Sequence, residues 1–92
     1  MFVLVTYDIA DNKRRNRVAK FLLDYGVRVQ ESVFECDISI ECFATVKRRL
    51  AKLIDTRVDC VRYYKLCANC IASVETAGVS IPVYAVESSV VL

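Results

Sequence analysis

A two-layer sandwich, a β-sheet carrying two helices on one face, is the fold class this sequence predicts. Three observations predict it. Segments 13–25 and 40–54 place apolar residues at helical spacing. The segments around them are β-branched and aromatic runs of strand length. The chain has 92 residues, enough for a single domain with one modest core.

Residues 2–7, Phe-Val-Leu-Val-Thr-Tyr, are almost continuously apolar, as a central strand buried on both faces requires. Asp8 to Asn12 form a polar connection, with Asp11 placed to cap the next helix. In that helix Val18, Phe21, Leu22 and Tyr25 make one stripe, and Gly26 sits where a C-terminal cap favours positive φ. Residues 27–36 alternate but lose phase near Glu31-Ser32, as two strand pieces joined by a bulge would. Ser39 caps a second helix whose stripe is Phe43, Val46, Leu50, Leu53 and Ile54, and Glu41 suits its first turn. A strand follows at 58–66. Cys67-Ala68-Asn69-Cys70 reads as a tight connection to a strand at 71–76, with a turn at Ala77-Gly78. Pro82 restricts 79–86 to an edge strand or an arm. The pattern alone leaves the order β-α-β-α-β-β, or β-α-β-β-α-β if 27–36 is two strands.

Composition narrows the function. The hydrophobic share is 55%, high for a soluble domain, which points to apolar surface covered by a second subunit. There is no histidine, which excludes Ser-His and Cys-His nucleophiles, histidine bases and histidine metal ligands. Five cysteines, an odd number, and an N-terminus without a basic, cleavable leader suggest a cytoplasmic chain with reduced thiols. No apolar run approaches the roughly 20 residues of a membrane-spanning helix. The net charge is only +2, but Lys13, Arg14, Arg15, Arg17 and Lys20 cluster, as do Lys47, Arg48, Arg49 and Lys52. Two such clusters suit an anionic partner, and equally suit solvated helix faces.

Asp8 is the residue with chemical promise. It ends an apolar strand, where α/β sheets gather ligands, and a carboxylate there can hold Mg²⁺. The competing reading is a turn or cap residue. One carboxylate is a thin metal site, but a two-fold dimer would bring Asp8 to face its own copy. The Arg14, Arg15 and Arg17 side chains would flank it and bind phosphate without sequence preference. Phe34 and Tyr7 read as core or interface aromatics that could stack on a base if exposed. Cys67-x-x-Cys70 lacks the four ligands of a structural zinc. A redox CxxC usually opens a helix, whereas this one is expected to join two strands.

Tyr7-Asp8-Ile9, the run Lys13 to Leu22 and Gln30-Glu31-Ser32-Val33-Phe34-Glu35 together resemble the CRISPR-associated protein 2 family over essentially the whole chain. The resemblance implies an α+β, ferredoxin-like sandwich with an antiparallel sheet, as a single domain over 1–92. It implies a homodimer in which 79–92 is a dimerisation arm, its strand pairing with the partner. It also implies Mg²⁺ shared between Asp8 of two protomers, and endonuclease action on RNA or DNA. The matching site residues are Tyr7, Asp8, Arg15, Arg17, Arg28 and Phe34, with Lys13, Arg14, Arg15, Arg17 and Lys20 toward nucleic acid. The implied role is in antiviral defence, bridging the CRISPR integrase, CRISPR-associated protein 1, during capture of spacer DNA. Cleavage and non-catalytic DNA holding both remain open at this point.

Overall fold

A computed structural model describes residues 1–78. Its elements are β1 (Phe2–Asp8), α1 (Asn12–Leu22), β2 (Val27–Gln30), β3 (Val33–Asp37), α2 (Ile40–Leu53), β4 (Cys60–Leu66) and α3 (Ala68–Ala72). Up to β4 this is the ferredoxin-like order β-α-β-β-α-β. The sheet runs β2-β3-β1-β4, and every neighbouring pair is antiparallel.

Successive side chains of a strand point to opposite faces. Val3, Val5 and Tyr7 of β1 therefore turn together toward the helices. They pack with Phe34 and Cys36 of β3, Val18 and Leu22 of α1, and Phe43, Val46 and Leu50 of α2. Asp11 caps α1 by accepting the Arg14 amide at 2.9 Å, and Ser39 caps α2 by accepting the Cys42 amide at 3.0 Å. Both caps follow the sequence reading, and so do the stripes within each helix, but α1 ends at Leu22 and α2 at Leu53, so Tyr25 and Ile54 pack against the core from just beyond the helix ends.

Four expectations change. The slip near Glu31-Ser32 is a hairpin turn between β2 and β3, and a separate bulge lies between Arg28 and Gln30. That turn supplies the extra strand. Gly26 has no positive φ. Close packing is what requires glycine there, since a Cβ would lie 2.4 Å from the Glu35 carbonyl oxygen. The strand at 58–66 starts only at Cys60, because the Val58 and Asp59 amides turn back onto the Asp55 carbonyl at 3.1 and 2.8 Å. Finally, no strand forms at 71–76, so 67–70 is not a hairpin. A two-residue hairpin turn favours positive φ at its centre, and Ala68 and Asn69 do not adopt it. The chain instead satisfies its backbone helically, Ile71 N–H to Cys67 O at 3.0 Å and Ser73 N–H to Asn69 O at 3.2 Å. The turn at Ala77-Gly78 places Gly78 at φ +78°. The expected strand at 79–86, and the arm at 79–92, lie outside the described residues.

Candidate metal and nucleic-acid site at the end of β1

Because Tyr7 points to the helices, Asp8 points to the opposite, open face of the sheet. Its register partner on β4 is Cys60, while Thr6 is opposite Arg62 and Leu4 is opposite Tyr64. Thr6, Asp8, Cys60, Arg62 and Tyr64 line a shallow cleft of about 310 Å³. Arg62 donates weakly to the Tyr64 hydroxyl at 3.5 Å. Sequence reasoning missed Arg62 and Tyr64. Their alternation along β4 was visible, but only the β1–β4 register brings them beside Asp8.

Asp8 is exposed, and among the described residues its carboxylate has no hydrogen bond or ion pair. The capping role open to either aspartate belongs to Asp11. Structural duty thus does not account for Asp8.

A second cleft, of about 520 Å³, opens on the other side of Asp8, toward Arg15, Arg28 and the Glu31-Ser32 turn. Here the predicted residues do converge, but mostly on one another. Tyr7 is buried and donates its hydroxyl to the Glu31 carbonyl at 3.0 Å. Burial raises the Tyr7 pKa, against the pull of Arg28 and Arg15, so the phenol stays a donor. Arg28 donates to the same carbonyl from Nε and Nη2 at 3.0 and 2.6 Å, and its guanidinium lies 5.8 Å from the Phe34 ring centre. Phe34 is fully buried, its ring 6.3 Å from that of Tyr7. Neither ring is exposed to stack on a base. Arg15 donates to the Ile9 and Ala10 carbonyls at 3.1 and 3.3 Å, and to Asn12 Oδ1. Arg15 and Arg28 thereby fasten the two loops that flank Asp8.

The basic helix divides in the same way. Arg14 makes a two-point contact with Asp59, at 2.8 and 3.2 Å, and the Asp59 side chain is only 1% exposed. That hydrogen bond, helped by the Asp55 amide, holds the Asp59 carboxyl below its usual range. Lys13, Arg17 and Lys20 stay exposed on α1. On α2, Lys47 lies 4.4 Å from the Phe43 ring centre, whereas Arg49 lies 5.6 Å from that of Phe21.

Among the described residues no three Cys, Asp or Glu side chains come together as a metal cage. One chain therefore offers an oxygen donor and open space. That suits a hard, water-rich cation such as Mg²⁺, which takes one or two carboxylates. It does not suit a fully enclosed ion.

The family model for CRISPR associated protein Cas2 matches residues 1–74. The CRISPR-associated endoribonuclease Cas2 1 of Chloroflexus aurantiacus is 44% identical over 79 residues, 85% of each chain. The CRISPR-associated endoribonuclease Cas2 of Nitratidesulfovibrio vulgaris is 40% identical over 97 aligned positions, spanning all of this chain and 94% of its own. Among solved structures, Streptococcus pyogenes Cas2 superposes with a TM-score of 0.78 at 46% identity, covering 85% of this chain and 100% of its own. A hypothetical protein of Thermus thermophilus, TT1823, gives 0.79 at 38% identity, covering 87% and 93%.

Proposed function

The chain belongs to the CRISPR-associated protein Cas2 family, and on that premise we propose that it acts in CRISPR adaptation as a cytoplasmic homodimer binding nucleic acid at Asp8. The observation that carries this reading is the Asp8 carboxylate itself, exposed on the open face of the central strand and free of structural duty. Asp8 of each protomer would hold one Mg²⁺ between them. A bound divalent cation supplies a polarised phosphodiester and an activated water. Arg17, Lys13 and Lys20 reach solvent and would neutralise the backbone phosphates. Arg15, Arg28, Tyr7 and Phe34 are positioning residues that hold the loops on either side of Asp8. Residues 79–92 would reach onto the partner as the dimerisation arm.

A second reading is favoured by the absence, among the described residues, of any cluster of three metal-ligating side chains. The dimer would then hold spacer DNA for the integrase, CRISPR-associated protein 1, without cutting it. Asp8→Asn separates the two. Under the nuclease reading it abolishes Mg²⁺-dependent cleavage of RNA or DNA, and unchanged cleavage by rigorously purified protein refutes that reading. Under the adaptor reading spacer capture survives the substitution and weakens steeply with salt. Failure of the two purified proteins to co-elute on gel filtration refutes the adaptor.

A further inference from the structure

Cys67 follows β4 directly and Cys70 lies one helical turn later in α3, so both side chains fall on the same side. Their sulfurs are 3.3 Å apart and both residues are exposed. A disulfide closes at about 2.05 Å, so about 1.2 Å of approach by two exposed side chains completes the bond. The other three thiols are placed differently: Cys36 is buried, Cys42 is half-buried, and exposed Cys60 lies at the far end of β4, about 23 Å away by strand rise.

We propose that Cys67 and Cys70 form a redox-active dithiol that exchanges with small-molecule disulfides. The Cys67 thiolate attacks one sulfur of the disulfide, forming a mixed disulfide and releasing the first thiolate. Cys70 then loses its proton and attacks the Cys67 sulfur, expelling the second. The protein is oxidised by two electrons, the small disulfide is reduced to two thiols, and the two protons leave on those thiols. The roles are unequal. The Cys70 amide, and then its S–H, favour negative charge on Cys67 and hold that thiol below its usual pKa. The same S–H contact holds Cys70 above its own. Cys67 is the attacking thiol and Cys70 the resolving one. The helical turn supplies what the hairpin reading lacked.

The consequence falls where the chain leaves the sheet, since Leu66, the residue before Cys67, is the last paired position of β4, opposite Phe2. The proposal is independent of Asp8, which sits at the other end of that ladder, opposite Cys60.

The test treats the full-length protein with oxidised glutathione, blocks remaining thiols by alkylation and maps peptides by mass spectrometry. The expected product is an intramolecular Cys67–Cys70 cross-link, two hydrogens lighter and reversed by dithiothreitol, with Cys36, Cys42 and Cys60 still alkylated. Cys70→Ser should stop at one glutathione on Cys67, whereas Cys67→Ser should react several-fold more slowly. Cross-links between chains, glutathione stably held on the unsubstituted protein, consumption of Cys60 instead, or equal rates in the two variants would each overturn the proposal. The first three readouts need no variant to fold.

Discussion

Gly26→Ala probes how closely α1 and the β2–β3 hairpin are pressed together. The added methyl would lie 2.4 Å from the Glu35 carbonyl oxygen and 2.5 Å from Cys36 Sγ. Carbon contacts settle at roughly 3.5–4.0 Å, so it arrives about 1 Å too close to both. The oxygen cannot retreat cheaply, because β3 is laddered to β1 on one side and β2 on the other. Overpacking costs about 1–3 kcal/mol, and a fixed backbone obstacle puts this case near 3. Stiffening of the unfolded chain by alanine returns about 0.4–1 kcal/mol. The net loss is then about 2 kcal/mol, against roughly 5–14 kcal/mol for a domain of this size. At about 4–8 °C per kcal/mol the midpoint of thermal unfolding should fall by about 8–16 °C. Circular dichroism melting measures it, and a midpoint within about 3 °C of the parent refutes the close-approach argument. Adding Cys36→Ala relieves only one of the two contacts. The double variant should therefore recover part of the loss relative to Cys36→Ala alone, as a double-mutant cycle would register.

Leu50→Ala, at a fully buried position of α2, should cost about 2–5 kcal/mol in urea unfolding. Arg17→Ala should lower by about 1 the slope of log affinity for duplex DNA against log salt, with the melting temperature unchanged. Arg14→Ala should lower the melting temperature, because it strands the enclosed Asp59. Asp59, with its folded pKa depressed, stabilises fully above the ordinary carboxylate pKa of about 3.9 and loses that contribution as pH falls through the folded value. Asp59→Asn should therefore be less stable than the parent at neutral pH, with the gap closing in acid. A gap independent of pH in denaturant titrations would contradict that assignment.

Period and caps made most of the fold legible. The stripes at Val18-Leu22 and Phe43-Val46-Leu50, and the caps Asp11 and Ser39, are local signals that tertiary structure had no reason to override. The hairpin at Glu31-Ser32 was visible only as lost phase, because a turn and a bulge two residues apart blur into one irregularity. The failure at 67–76 has another cause. Val74 and Ile71 favour strands, yet a strand needs a neighbour and a permissible turn, and Ala68-Asn69 offers no easy one. For the site, Asp8 could be singled out because one charge ends an apolar run. What each arginine does could not. Arg14, Arg15 and Arg17 look alike in sequence, and only the positions of Asp59 and the Ile9 and Ala10 carbonyls separate two anchors from one exposed cation.

The alternation of β1 couples two properties to a single count. Val3, Val5 and Tyr7 belong to the core, whereas Thr6 and Asp8 give onto the open cleft, so the second half of the strand works as a gauge of length. One residue inserted between Val5 and Thr6 would turn the site inside out. The carboxylate would be driven toward Phe34 and the tyrosine would surface beside Arg62, with every residue type still present. Substitutions at Thr6 or Asp8 can retune the cleft while the core stays intact. Insertions and deletions in the same stretch have no such latitude, and the chemistry proposed for this end of the molecule is guarded by spacing as much as by identity.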